Sequence, residues 1–168
     1  MIFTKEQCGT LSKQDAISGF CSVLHQMGKP ISFTVNLYAE KRREKSRFAA
    51  IVLNEDHILH VHSKLVKEFK KMQFLNDQRK TLGKKTILLM GNFEEGGLTG
   101  QPHIHYVVDF RNTKDIPMIK WCISQAVEKV KTATGFISGS PHIELTQEID
   151  DGWIKYILKD GCPITLIN

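Results

Sequence analysis

Two histidines flank a single isoleucine in the stretch Gln101-Pro102-His103-Ile104-His105-Tyr106-Val107-Val108-Asp109-Phe110. The apolar run after them supports a β-strand. Strand side chains alternate with period two, so both imidazoles leave from one face and can converge on one divalent metal. Glu94 and Glu95 stand nine and eight residues before His103, at the rim of the Gly-rich segment Gly96-Gly97-Leu98-Thr99-Gly100, and a second apolar run from Thr86 to Phe93 precedes them. An antiparallel hairpin built on that turn can return one carboxylate beside the histidines, completing a three-ligand site with open coordination positions. A second chemical group lies in Asp151 to Asp160, a short amphipathic helical pattern with Ile154, Ile157 and Leu158 toward the core. There Tyr156 and Lys159, three apart, share another face. A phenol is a weak nucleophile at neutral pH, and a nearby cation is what favours its phenolate character.

The elements that must position these groups follow from patterning. Ser12 reads as the cap of a helix with Ala16, Phe20, Val23, Leu24 and Met27 on one face and Gly28 to stop it. Pro30 leads into a strand from Ile31 to Tyr38, rich in alternating and β-branched residues. The run Lys41-Arg42-Arg43-Glu44-Lys45-Ser46-Arg47 holds five basic residues and one acid, which suits either a phosphate-binding loop or a solvated charged one, and a short apolar stretch from Phe48 to Leu53 follows. From Ser63 to about Lys80 the pattern is helical, with Leu65, Phe69 and Met72 on one stripe and Lys64, Lys67, Lys70, Lys71 and Arg79 outside it, a basic face that could meet a DNA backbone. His60-Val61-His62, just before that helix, is a formal rival for the metal. It has no following strand and no acidic turn, and reads as a polar helix entry. Ile116, Ile119, Ile123, Val127 and Val130 mark a core-facing helix with Pro117 in its first turn, and Trp121 reads as packing or surface. Gly135 to Pro141 is a connector, and Ile143 to Ile149 alternates like a further strand.

Composition sets the bounds. A chain of 168 residues with 41% hydrophobic content suits one soluble domain with a real core, and a net charge of +5 suggests a polyanionic partner. Cys8, Cys21, Cys122 and Cys162 include no Cys-x-x-Cys pair and are expected as reduced thiols inside a cell, with no zinc finger. No apolar core of a signal peptide stands at the amino terminus, and no apolar stretch nears the roughly 20 residues of a membrane span, so no membrane association is expected.

Taken in order, Phe33-Thr34-Val35-Asn36, His103-Ile104-His105 and Tyr156-Ile157-Leu158-Lys159 resemble the three motifs of the HUH (His-hydrophobic-His) rolling-circle replication initiator endonucleases, the Rep proteins of small circular replicons. The likeness touches about a dozen residues between positions 33 and 159. It implies an α+β fold, ferredoxin- or RRM-like: a central antiparallel sheet flanked by helices, the histidines on a central strand and the tyrosine helix beneath them. Residues 1–168 would form a single endonuclease domain. Carried over, Tyr156 is the nucleophile, His103 and His105 are metal ligands, Glu94 or Glu95 is the third ligand, and Lys159 assists the phosphate or metal. Phe33, Thr34 and Asn36 support the sheet and approach DNA; apart from the resemblance, the charge of Lys41, Arg42, Arg43, Lys45 and Arg47 suits contacts with its phosphates. The cofactor is Mg²⁺ or Mn²⁺, imidazole ligands favouring Mn²⁺. The reaction is nicking and rejoining of single-stranded DNA, or of an origin hairpin, through a 5′-phosphotyrosine. The setting would be the cytoplasm of a prokaryotic host or the nucleus of a eukaryotic one.

Two departures qualify the likeness. About thirty residues precede the first motif, and its distance from the histidines is longer than in viral members, which leaves the subfamily open. No Gly-x-x-x-x-Gly-Lys-[Ser/Thr] loop is present, so a separate helicase would unwind the DNA, or the chain is an endonuclease domain alone. A single-tyrosine transposase or relaxase-like protein would use the same site. A non-catalytic nucleic-acid-binding domain would need the basic surface only, and a hydrolytic zinc enzyme would need a fuller ligand motif than the chain offers.

Overall fold

A computed structural model describes residues 2–3, 13–28, 30–37, 40–41, 51–72, 89–94, 101–109, 116–144, 149–158 and 165–167. The elements run β1 (Ile2–Phe3), α1 (Lys13–Leu24), β2 (Pro30–Asn36), β3 (Glu40–Lys41), β4 (Ile51–Val52), α2 (Glu55–Lys71), β5 (Leu89–Glu94), β6 (His103–Asp109), α3 (Ile116–Thr134), β7 (His142–Glu144), α4 (Asp151–Ile157) and β8 (Thr165–Ile167). One sheet holds six strands in the order β1-β8-β5-β6-β2-β7, every neighbouring pair antiparallel. β3 and β4 pair separately. Four of the six strands belong to a strand–helix–strand–strand–helix–strand unit made of β2, α2, β5, β6, α3 and β7, with β7 at the edge of the sheet. Seen across the sheet from β7, its four strands lie fourth, first, third, second in chain order. The expected α+β class with an antiparallel sheet between helices is what the chain forms.

Period-two alternation sorts the side chains of this sheet onto two different layers. Ile31, Phe33 and Val35 of β2, Leu89 and Phe93 of β5, and Ile104, Tyr106 and Val108 of β6 face α2 and α3. There they join Ile58, Val61, Leu65 and Phe69 and Ile119, Ile123, Val127 and Val130 in the larger core. On the other face Met90 of β5 and Val107 of β6 meet Phe20 and Leu24 of α1, Met27 beyond it, Ile154 of α4, and Leu158. Each such aliphatic side chain contributes about 1.5–3 kcal/mol when fully buried. Both faces are therefore covered, the second, among the described residues, around Met90 and Val107. At the heart of the larger core the Tyr106 ring lies over Gly91, its register partner on β5, where a Cβ would stand 2.6 Å from the ring Cε1. Only glycine leaves room for it. Phe33 stacks on the same ring, with centroids 5.2 Å apart, and His62 does so at 5.8 Å.

The second helix departs from expectation. It starts at Glu55, well before Ser63, because Asn54 caps it: Asn54 Oδ1 accepts from the His57 N–H at 3.0 Å, and His57 Nδ1 accepts from the Asn54 N–H at 3.3 Å. This is a capping box with histidine in the place usually held by Glu or Gln. The helix ends at Lys71, and residues 73–88 lie outside those described. His60-Val61-His62 thus sits inside the helix and not at its entry. Two positions apart on a helix is roughly 200° of rotation, so the two rings cannot share a ligand. His60 is exposed, whereas His62 is 2% exposed and faces Tyr106.

The third helix matches its pattern, with Pro117 in the first turn, Trp121 on the surface, and Gly135 closing it at a φ of 66°. The strand expected over Ile143 to Ile149 is His142–Glu144; residues 145–148 are not among those described, and Ile149 lies outside any strand, packed near the α1–α4 core. The Ser12 cap also lies outside the described residues.

The buried His62 has a measurable consequence. Among the described residues neither of its ring nitrogens has a hydrogen-bond partner, and burial lowers its pKa from 6.5 to about 4. The unfolded chain therefore binds more protons than the folded one between those values. The associated stability is complete above pH 6.5 and is lost as the pH falls toward 4, a loss of about 2 kcal/mol by pH 5. Urea midpoints measured at pH 7 and pH 5 will differ less in His62→Leu than in the wild type. An equal difference in both proteins would show that His62 is not buried in its neutral form.

Candidate metal centre

The register of three strands assembles the site. In the β5–β6 hairpin Glu94 is the partner of His103, and Asn92 of His105; across β2–β6, Asn36 is the partner of His103 and Thr34 of His105. Because Ile104, Tyr106 and Val108 are committed to the larger core, His103 and His105 must leave from the opposite face. Glu94 and Asn92 do so beside them on β5, and Thr34 and Asn36 on β2. His103 Nε2 and His105 Nε2 come within 3.1 Å of one another, with the rings nearly perpendicular at 89°. Glu94 Oε2 lies 3.4 Å from His103 Nε2, and Glu94 Oε1 lies 3.7 Å from His105 Nε2.

Glu94, His103 and His105 form a group able to hold a metal ion, as the hairpin predicts. Ligand atoms bonded at about 2.1 Å and separated by angles between a right angle and the tetrahedral value stand about 3.0–3.4 Å apart, and the observed separations lie at or just above that range. Among the described residues Glu94 Oε1 is buried with no hydrogen-bond partner, a cost that a cation would offset. The outer ring nitrogens are also engaged. His103 Nδ1 is 2.8 Å from the Gln101 carbonyl oxygen, which can only accept, so Nδ1 carries the proton and Nε2 presents its lone pair. His105 Nδ1 is 3.0 Å from Thr34 Oγ1. The Gln101 side chain donates to the Leu37 carbonyl at 2.9 Å, and the Leu37 N–H donates to the Pro102 carbonyl at 2.7 Å, so the backbone entering β6 is fixed.

Helix α4 lies on the metal face. Asp150 caps it, its Oδ1 accepting from the Trp153 N–H at 2.9 Å, and Ile154 and Leu158 enter the apolar cluster around Met90 and Val107. Tyr156, two positions after Ile154, is turned away from that cluster and is 56% exposed. At the edge of the helix Asp151 Oδ1 and His25 Nε2 of the α1 C-terminal turn are 3.3 Å apart. Of the other tyrosines, Tyr106 is fully buried on the opposite sheet face, where burial pushes its phenol far above the usual range. Tyr38 lies outside the described residues.

The remaining candidates divide. Thr34 and Asn36 share the metal face and are half-buried, with exposed His142 opposite Thr34 on β7. Phe33 requires correction as a DNA contact: its side chain is 1% exposed, between Tyr106 and Phe69 on the far face, and its part is to support the sheet. The lysines of α2 are likewise remote, because that helix packs on the face away from the metal group. Lys41 belongs to β3 by its backbone; Glu95, Lys159, Arg42, Arg43, Lys45 and Arg47 lie outside the described residues. Sequence patterning missed Thr34 and the Gln101 carbonyl as partners of the imidazoles. The only signal for Thr34 was the polar alternation Ser32, Thr34, Asn36 against apolar Ile31, Phe33, Val35.

Comparison with protein-family models, curated proteins and solved structures yields no match. Among the described residues no helix is long and apolar enough to cross a membrane.

The metal group makes a direct prediction. His103→Ala and His105→Ala will each weaken Mn²⁺ binding, measured by calorimetry, by more than about 100-fold with far-UV circular dichroism unchanged, whereas His60→Ala will bind as the wild type does. Wild-type affinity in both strand variants would remove the site from β6.

Proposed function

We propose that this chain is a metal-dependent endonuclease and strand transferase of the HUH type, in which Tyr156 attacks single-stranded DNA. The observation that carries the proposal is the sharing of one sheet face by Glu94, His103 and His105 and by the helix that presents Tyr156. The connectivity supports it too: a strand–helix–strand–strand–helix–strand unit with this strand order is the split βαβ arrangement, which we assign to the ferredoxin-like fold expected of such enzymes.

The residues fit a divalent ion, and Glu94, His103 and His105 would hold it. We assign Mg²⁺ or Mn²⁺, two imidazoles favouring the latter. When bound, the ion supplies Lewis-acid polarisation of a phosphate and neutralises charge that develops on it. The chain's own groups do the rest. Tyr156 forms a bond from its phenolic oxygen to phosphorus as the bond from phosphorus to the 3′ oxygen breaks. The phenol gives up its proton and the departing oxygen gains one, leaving a 5′-phosphotyrosine and a free 3′-hydroxyl. The phosphodiester energy is conserved in that linkage, so attack by a 3′-hydroxyl rejoins the strand. Lys159, three positions after Tyr156, would stabilise phosphate charge.

Thr34, Asn36 and His142 share the metal face, where a single strand or hairpin loop bound at the ion would meet them. A flexible single strand can bring its phosphodiester into in-line geometry with the tyrosine oxygen, whereas the regular backbone of a duplex resists that distortion.

The test uses single-stranded oligonucleotides of the chain's own replicon, labelled at the 3′ end because the covalent intermediate keeps that fragment. With Mn²⁺ the wild type will give a labelled protein–DNA band on a denaturing gel. Tyr156→Phe will give neither adduct nor cleavage while binding Mn²⁺ normally, since the change removes one hydroxyl from an exposed ring. An adduct that persists in Tyr156→Phe would move the nucleophile elsewhere, and cleavage by the wild type without any adduct would replace tyrosine by water.

A further inference from the structure

The two imidazoles of the metal group are held by different kinds of partner. At His103 the partner is a backbone carbonyl, 2.8 Å from Nδ1, and a carbonyl can only accept. That ring is set in advance for coordination through Nε2. At His105 the partner is the Thr34 hydroxyl, 3.0 Å from Nδ1, which can donate or accept. A hydroxyl that donated to Nδ1 would leave the proton of neutral His105 on Nε2, the atom 3.1 Å from His103 Nε2 and 3.7 Å from Glu94 Oε1. A proton there would block the ligand position. A hydroxyl that accepts from Nδ1 leaves Nε2 free for the ion.

We propose that Thr34 is a positioning residue of the metal centre, whose hydroxyl accepts the Nδ1–H of His105 when an ion is bound and so leaves Nε2 bare for the ion beside Glu94 and His103. Without an ion the 3.1 Å contact between the two Nε2 atoms is a hydrogen bond in which His105 Nε2 donates. Resting on the metal-site assignment made above, the inference gives the centre one fixed ligand, His103, and one conditional ligand, His105. The hydroxyl is fixed in place by the backbone. Thr34 faces His105 across the β2–β6 ladder, and β7 pairs on its other side through His142, so β2 is an interior strand with little freedom to move. The β-branched side chain of threonine also restricts χ1, which limits where Oγ1 can go. A hydrogen bond to the outer nitrogen of a metal-bound histidine governs both ring orientation and ligand basicity.

Thr34→Val keeps the shape and strand preference of the residue and removes only the hydroxyl. Thr34→Ser restores a hydroxyl without the methyl. Calorimetric titration with Mn²⁺ will show about a 10–100-fold weaker affinity for Thr34→Val and recovery to within a few-fold of wild type for Thr34→Ser, with thermal midpoints of both variants close to wild type. Imidazole ¹⁵N spectra with diamagnetic Mg²⁺ or Zn²⁺ will report His105 protonated at Nδ1 in the wild type and in Thr34→Ser. Wild-type Mn²⁺ affinity in Thr34→Val, or Thr34→Ser as weak as Thr34→Val, overturns the role of the hydroxyl while leaving the metal site standing. Absence of Mn²⁺ binding by the wild type itself overturns both.

Discussion

A β-strand cannot send two consecutive side chains to the same side, and in β6 that constraint joins the stability of the molecule to its chemistry. Ile104, Tyr106 and Val108 fill the core under α2 and α3, so His103 and His105 have no choice of face. A slip of one residue in β6 would expose three large apolar side chains and bury two imidazoles, at a cost of several kcal/mol. The same register sets Glu94 opposite His103 and Thr34 opposite His105. The ligand group therefore depends on the packing of Tyr106 over Gly91 and against Phe33 and His62, on the far side of the sheet from any metal.

The metal face is divided along its strands. Toward Met90 and Val107 it is closed by α1 and α4, and toward Glu94, His103 and Asn36 it carries the polar cluster. One face can then hold both a desolvated anchor for the helix of Tyr156 and a group able to hold an ion. The apolar contacts of Ile154 and Leu158 fix the helix, and its exposed side is left to Tyr156. Glu94 is the least exposed of the three side chains able to hold an ion, and among the described residues one of its carboxylate oxygens has no hydrogen-bond partner, a cost that a cation would offset.

Local signals made much of this legible. Period-two alternation and the Gly-rich turn located β5, β6 and their acidic corner, and helical spacing from Ile116 to Val130 located α3. Two kinds of information were out of reach. The α2 start rests on a histidine at the third helical position acting as a capping-box acceptor, which a search for Glu or Gln passes over. The pairing of Thr34 with His105 spans 71 residues of chain, and no local pattern encodes which strand will lie beside which. Phe33 is a different case: alternation within Ile31 to Asn36 already assigns it to the side opposite Thr34, and only its place inside a motif suggested a contact with DNA.

The most direct measurement is paramagnetic broadening by Mn²⁺ in an NMR titration, because the effect falls steeply with distance from the ion. With the ion held by Glu94, His103 and His105, ring signals of Tyr156, on the helix that shares the metal face, will broaden at lower Mn²⁺ than the indole signal of Trp121, which is carried by α3 on the opposite face. Equal broadening of the two residues, or loss of the Trp121 signal first, would contradict a metal site on the face that carries the tyrosine helix.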